Sequence, residues 1–188
     1  MPDMPTLIIT KADLDGDGTY VGATSVEDYD GNIEIAADLG TVRFAGGLKA
    51  RGSIRSGLGT SIYADTSICA GQSIYADTSI YAGGYILVGT SIKAGGSIKA
   101  GWDIDAGVSI AAGRSIEAGV SIYVSGYIEA GGYIEAGGSI AAGESINAEW
   151  VRSGQRIFAG TEIRAELRGG EIASGRHVPP ASSDGEAA

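Results

Sequence analysis

Isoleucine occupies every sixth position from Ile62 to Ile146 without exception, fifteen times in all. Ala follows two places after nearly every Ile, replaced by Val88 and Val124 in two units, and the next residue is usually Gly. Residues two apart face the same side of an extended chain, so each unit predicts a short strand with Ile and Ala inside and the residue between them outside. Gly at the next position predicts a corner, through either a positive φ or a tight turn. The repeat therefore predicts a single-domain, all-β parallel β-helix, or β-solenoid.

The six-residue period leaves the size of one coil open. Three strands per coil give about 18 residues per turn and a rise of about 4.8 Å, whereas a flattened coil of two strands needs about 12 residues. We favour the coil with three faces. In either form equivalent Ile residues stack in a column, and burying each Ile is worth roughly 1.5–3 kcal/mol.

Departures from the period divide the chain. Residues 1–41 are acidic and not repetitive, with short predicted strands at 7–9 and 31–35, and are predicted to cap the N-terminal end of the solenoid. The β-helix is predicted over 42–173, with C-terminal capping coils from about residue 149. Residues 174–188 contain few apolar residues and are predicted to form a disordered tail.

Two shifts in register interrupt the predicted β-helix. The period starts at Val42 and shifts by two residues at Leu58-Gly59, where the simplest structure is a bulged corner and the alternative is a protruding contact loop. After Ile146 it shifts back by one residue, so that the apolar positions become those of Val151, Ile157 and Ile163.

Charge and cysteine content limit the class of partner and the cellular compartment that we expect. The 188-residue chain has a formal net charge of −10, which argues against direct contact with a nucleic-acid backbone and favours a protein partner with a basic surface. The single cysteine, Cys69, excludes an intrachain disulfide and is typical of a reducing compartment. No secretory leader or membrane-spanning apolar run is evident. We therefore expect a cytoplasmic protein that contacts no membrane.

An acidic segment near the N terminus resembles the opening of a calcium loop. Asp13, Asp15 and Asp17 alternate before Gly18, and alternate carboxylates can converge on one hard cation. The twelfth position, however, is Thr24, where an EF-hand requires a bidentate carboxylate. An acidic turn is the favoured interpretation, a metal site is the weaker one, and no cofactor is expected.

Outward-facing side chains of the repeat supply the candidate contact residues. The acids are either a solvated surface or a decoy for a basic nucleic-acid-binding groove, in which a rigid rod holds carboxylates at near-phosphate spacing. Two tryptophans at corner positions are either binding hot spots or packing residues against a cap. The predicted partner-binding residues are Asp103, Asp105, Glu117, Glu129, Glu135, Trp102 and Trp150.

An enzyme is not expected. Hexapeptide acyltransferases also repeat every six residues, but they place the small residue before the large one, which is the reverse of the order here. They also need a catalytic His, and the only His of this chain is His177, in the predicted tail.

The strings Gly95–Gly101 and Gly131–Gly137 resemble two groups of proteins. One is the right-handed β-helix of bactofilins and related polymer-forming proteins, which implies a right-handed coil. The other is a set of small Gly-rich proteins of phages and mobile elements with SI-x-AG repeats, which the string Arg156–Gly160 also resembles. This second resemblance implies a counter-defence inhibitor such as an anti-CRISPR protein. The sequence therefore favours a non-enzymatic inhibitor, monomeric or dimeric, that blocks a nucleic-acid-binding partner; the alternative is a bactofilin-like scaffold that assembles end to end.

Overall fold

A computed structural model describes residues 4–180 of the chain. Within this range, twenty strands form one continuous parallel sheet, and the only helix is a 3-10 turn at Lys11–Asp13. The predicted all-β solenoid is confirmed. The strands are β1 (Thr6–Ile9), β2 (Asn32–Ile35), β3 (Gly40–Phe44), β4 (Leu48–Ala50), β5 (Ile54–Ser56), β6 (Thr60–Ala64), β7 (Ile68–Ala70), β8 (Ile74–Ala76), β9 (Ile80–Ala82), β10 (Ile86–Val88), β11 (Ser91–Ala94), β12 (Ile98–Ala100), β13 (Ile104–Ala106), β14 (Ser109–Ala112), β15 (Ile116–Ala118), β16 (Ile122–Val124), β17 (Ile128–Ala130), β18 (Tyr133–Ala136), β19 (Ile140–Ala142) and β20 (Ile146–Val178).

Each strand of the repeat pairs with the strand three further along the chain. Ile68, Ile86, Ile104 and Ile122 are successive register partners, so one coil contains three strands, one from each of three consecutive repeat units. The flattened coil of two strands is thereby excluded, while the right-handed sense of the coil stays a prediction. The first stack comprises β1, β2, β5, β8, β11, β14 and β17; the second comprises β3, β6, β9, β12, β15 and β18; the third comprises β4, β7, β10, β13, β16 and β19. Successive parts of β20 extend all three stacks.

The core consists of the predicted columns of Ile and of Ala or Val. Every repeat Ile from Ile62 to Ile146 is at most 1% exposed, and the small residues from Ala64 to Ala142 are at most 7% exposed. The residue between each such pair is exposed or half-buried. The alternation therefore follows the pleat of each strand, as the sequence predicts.

Corner glycines are required for close approach between coils, not for a positive φ. A Cβ on Gly101 would lie 2.0 Å from the carbonyl oxygen of Gly83 in the preceding coil, and a Cβ on Gly119 would lie 2.0 Å from that of Gly101. None of the glycines from Gly71 to Gly143 has a positive φ. Of the two roles that the sequence left open, the tight corner is the one observed. Asp65, Asp77 and Ser125 occupy the equivalent position in other coils, so the space is missing at the glycine corners and not at every corner of the repeat.

The two-residue shift at Leu58-Gly59 is a bulged corner, as predicted. Val42 pairs with Ile62, two residues further along the chain than the regular repeat would place its partner, and Gly59 has a φ of +67°. The bulge is held by the buried hydroxyl of Thr60, which donates a 3.0 Å hydrogen bond to the carbonyl of Ala36. The Leu58 side chain is 69% exposed at the tip, and its role as a contact loop stays a prediction.

The C-terminal shift of one residue is also confirmed, because Ile134 pairs with Val151 and Ile140 with Ile157, in each case one residue earlier than in the regular coils. The predicted disordered tail differs from the structure. β20 continues to Val178, and the Ser174 hydroxyl donates a 3.1 Å hydrogen bond to the Ala159 carbonyl. Backbone pairing on the preceding coil orders this segment despite its low apolar content. The rest of the predicted tail, from residue 181, lies outside the described residues.

The N-terminal segment contributes strands as well as cover. The predicted strand at 7–9 is confirmed as part of β1, which pairs with β2 in the first stack. The solenoid therefore starts before the predicted boundary at residue 42. The backbone N–H of Tyr20 donates to Arg43, and that of Tyr29 donates to Lys49. The segment between β1 and β2 thus covers the first strands of the second and third stacks.

Outward side chains of the second stack pair with one another. Arg43 lies over the ring of Tyr63 at 4.9 Å, and the rings of Tyr63 and Tyr81 are 6.5 Å apart. Further along, the Lys99 ammonium lies 2.7 Å from the Glu117 carboxylate. The ladder continues with the ion pair of Glu135 and Arg152. Opposite charges and aromatic rings that are neighbours across strands stabilise a sheet.

Glu117 has two partners in this ladder. Its carboxylate accepts hydrogen bonds from Lys99 and from the Tyr133 hydroxyl. Burial alone raises the pKa of Glu117, but the two hydrogen bonds and the charge of Lys99 outweigh it, so the pKa lies below its ordinary value of 4.5. Ionised Glu117 therefore stabilises the folded state.

Replacing Gly101 with Ala is expected to destabilise the solenoid by about 1–3 kcal/mol, because the added Cβ meets the backbone of the preceding coil. The matched control is Gly16→Ala, whose Cβ would have no atom within 4 Å and whose effect should stay within about 0.5 kcal/mol. Denaturant unfolding of the two variants measures this difference. Equal unfolding free energies would contradict the crowded corner.

Glu117→Gln is expected to lower the melting temperature at neutral pH, since it removes the carboxylate on which Lys99 and Tyr133 converge. A depressed folded-state pKa contributes stability above the unfolded pKa, and this contribution is lost as the pH falls through the folded value. The difference from the wild type should therefore shrink below about pH 4.5. Glu129→Gln, on the first stack, serves as the control, and a pH-independent difference for Glu117→Gln would refute the ion-pair explanation.

Candidate functional site

The predicted carboxylates do not form one array. Glu129 lies in the first stack, Glu117 and Glu135 lie in the second, and Asp105 lies in the third. The reason is the coil length: consecutive units enter consecutive stacks, so side chains become neighbours only when they are three repeat units apart. Glu117 and Glu135 meet this condition, and each already has a basic partner in Lys99 or Arg152. These four acids therefore do not form the continuous run of free carboxylates that the decoy hypothesis needs.

The two tryptophans have different environments. The ring of Trp150 stacks on Tyr133 with 4.3 Å between centroids, and the Arg168 guanidinium lies 4.8 Å from its ring centroid. Trp150 therefore packs within the C-terminal coils. Trp102, by contrast, is 60% exposed at the corner that leads into the third stack. Of the two interpretations offered by the sequence, Trp150 fits packing and Trp102 fits a contact residue.

Asp103 and Asp105 flank the start of a third-stack strand, β13. The carboxylate of Asp103 accepts a 2.9 Å hydrogen bond from the backbone N–H of Ser121 and so ties one coil to the next. Asp105 points outward, with Leu87 and Tyr123 as its register neighbours. Among residues 4–180, no Lys or Arg nitrogen lies within 4.0 Å of its carboxylate. Asp105 is thus a charged group set between apolar side chains.

Exposed apolar side chains concentrate around this stack. Seven of the eleven large apolar residues exposed in the described part of the chain lie on the third-stack strands, or at the corners that flank them. Exposed apolar side chains gathered along one stack are typical of a protein contact site. We define the third-stack surface as these seven residues together with Asp105: Tyr85, Leu87, Trp102, Val108, Val120, Tyr123 and Tyr127.

A groove of about 810 Å³ lies at the N-terminal end of the same stack. Its apolar lining includes Leu87, Cys69 and Tyr29, and its rim carries the ion pair of Lys49 and Asp28, 2.7 Å apart. Burial raises the pKa of the Cys69 thiol, against smaller opposing effects of Tyr85 and Lys49. Cys69 is therefore half-buried in a groove wall and protonated at neutral pH.

The acidic N-terminal turn is satisfied internally. The carboxylate of Asp13 accepts hydrogen bonds from the backbone N–H and the hydroxyl of Thr10, and that of Asp15 accepts from the N–H groups of Asp17 and Thr19. No three His, Cys, Asp or Glu side chains within residues 4–180 lie close enough together to hold a metal ion. The carboxylates of Asp13 and Asp15 therefore act as turn acceptors. The ring of His177 contacts the Ala165 carbonyl at 2.9 Å.

Sequence reasoning missed the apolar members of the third-stack surface other than Trp102. Leu87 and Tyr123 fill the same outward position as Asp105, one coil before it and one coil after it. These residues are three repeat units apart, so a coil of three units places them in the same stack. The groove had no such signal, because its rim is built by residues 28–30, which lie outside the repeat.

The described residues include no helix of the length and hydrophobicity needed to cross a bilayer. The chain matches no protein-family model, and no curated protein or solved structure is significantly similar to it. Because no similar protein indicates a site, the candidate site is assigned from the structure alone. It is the third-stack surface with its adjoining groove.

Proposed function

We propose that this protein is a non-enzymatic binding protein that engages another protein through the third-stack surface. The observation that carries the proposal is the contrast between stacks. Outward side chains of the second stack pair with each other. The third stack instead presents exposed Leu87, Tyr123 and Trp102 together with Asp105, which has no ion-pair partner among residues 4–180. Exposed aromatic and aliphatic side chains on a rigid sheet can supply the anchors of a protein interface.

The net charge of −10 supports a partner with a basic surface. A narrower form of the proposal is a phage-encoded inhibitor that occupies the nucleic-acid-binding surface of a cytoplasmic partner, such as a CRISPR effector. The resemblance of the repeat strings to phage SI-x-AG proteins supports this form. Inhibition would then follow from steric and electrostatic competition, and binding would weaken as salt is raised.

Leu87→Asp is expected to reduce binding of the native partner at least about 30-fold, because it places a charge at the centre of an apolar contact. Ala111→Asp is the matched control, since it adds the same charge at the equivalent outward position of the first stack. Each immobilised variant would be incubated with extract of the native cell, and the captured proteins compared by quantitative mass spectrometry. The expected partner is retained by the wild type and by Ala111→Asp but lost by Leu87→Asp. If no protein shows this selectivity, the proposal fails.

The alternative function is a scaffold that assembles end to end. Its requirement is open coil ends, but residues between β1 and β2 cover two stacks at one end, and partly buried Leu167 and Ile172 pack against the core at the other. These covers favour the binding protein.

Light scattering on a size-exclusion column is expected to give one discrete species, monomer or dimer, at low and at high salt. Its mass should not change with protein concentration, because the covers at the two ends hinder the addition of a further solenoid. Assemblies that grow with concentration would instead support the scaffold.

A further inference from the structure

We infer that the partner supplies an extended peptide segment in which an apolar side chain fills the groove and a Lys or Arg two positions away pairs with Asp105. The inference rests on the proposed function and names the chemistry of the partner at the same surface. Two features of the third stack, one apolar and one anionic, lie in a fixed order along the rod, and one extended segment can contact both.

The apolar feature is the part of the groove between the second and third layers of this stack. Its walls include Cys69 and Leu87, which are direct register partners, and Lys49 and Tyr29 line the groove further towards the N terminus. The volume of the whole groove, about 810 Å³, exceeds that of any single side chain. One aliphatic or aromatic side chain can therefore enter together with part of its backbone.

The anionic feature lies one layer further on. Asp105 is the register partner of Leu87, and no basic side chain within residues 4–180 neutralises it. The basic groups at the groove, Lys49 and Arg51, are already paired with Asp28 and Asp30. A cation delivered by the partner would therefore find its free counter-charge at Asp105 and not at the rim of the groove.

The distance between the two features sets the spacing of the motif. Strands of adjacent coils lie about 4.8 Å apart, so the part of the groove between Cys69 and Leu87 lies one and a half coils, or about 7 Å, from Asp105. Residues i and i+2 of an extended chain are also about 7 Å apart, whereas one turn of helix advances about 5.4 Å. An extended segment of the form apolar-x-Lys/Arg therefore matches the surface when it runs along the rod.

The test is selection of a displayed random octapeptide library on the full chain, with counter-selection on Leu87→Asp. Enrichment of an apolar residue two positions from Lys or Arg is expected. Enrichment of a helical spacing of three or four, or of sequences without a basic residue, would overturn the inference.

A synthetic form of the enriched peptide provides the quantitative readout. Asp105→Asn is expected to weaken its binding about three- to tenfold and to reduce its salt dependence, whereas Glu129→Gln on the first stack should leave it unchanged. Exchanging charges, with Asp105→Lys against a peptide carrying Glu in place of its Lys or Arg, should restore binding. Unchanged affinity in Asp105→Asn would overturn the assigned pairing.

Occupancy of the groove can be followed at Cys69, the only cysteine of the chain. The bound peptide should slow alkylation of Cys69 by a maleimide at least about fivefold, since it covers the groove wall. Unprotected Cys69 would show that the apolar side chain binds elsewhere. If Leu87→Asp abolishes capture of the native partner while Asp105→Asn leaves the affinity for that partner unchanged, the third-stack surface is supported and the peptide motif is refuted. If neither change affects capture, the proposed function itself falls.

Discussion

Stacking of Ile on Ile, coil after coil, is the constraint on which the rest of this structure depends. Each Ile of the repeat is almost completely buried and lies over its equivalent in the neighbouring coil. Since side chains of a strand alternate between faces, a one-residue slip within a strand would turn the Ile column outward. Changes in coil length are therefore confined to corners, where Leu58-Gly59 adds two residues and the turn before Val151 omits one. Crowding at the corners adds a second restriction, because Gly83, Gly101 and Gly119 stack with no room for a Cβ.

Outward positions of the strands are limited neither by the buried Ile column nor by the crowded corners, and their side chains differ from stack to stack. The second stack contains a ladder from Arg43 to Arg152, in which aromatic rings and opposite charges satisfy each other. The first stack has one such contact, Arg55 over Tyr75 at 5.1 Å. In the third stack, Leu87, Asp105 and Tyr123 follow one another without a matching pair. A charge between two exposed apolar side chains gains little from its neighbours, and this arrangement is consistent with the proposed contact with another protein.

The sequence predicts the fold well because the fold follows from one period. The strands, the core columns, the bulge at Leu58-Gly59 and the shift before Val151 all follow from the positions of Ile alone. The site is harder to predict, because acids that are near one another along the chain do not lie near one another on the solenoid. Asp105, Glu117 and Glu129 follow one another at intervals of two repeat units. Residues two units apart lie in different stacks, whereas residues three units apart are neighbours in the same stack. The groove cannot be predicted from the period of the repeat. Its rim depends on how residues 28–30, which lie outside the repeat, fold over the third stack.

The rigidity that follows from the Ile column also limits how such a surface can recognise a partner. Outward side chains of one stack are held at the coil spacing of about 4.8 Å by hydrogen bonds on both sides of each strand, so the surface cannot adjust to a poorly matched ligand. Little conformational entropy is then lost by the solenoid on binding, and most of the ordering cost falls on the partner. Selectivity must consequently come from the match between the partner's side-chain spacing and the rise of the coils. An extended segment meets that condition over a few layers, because its alternate side chains approach one and a half coil spacings.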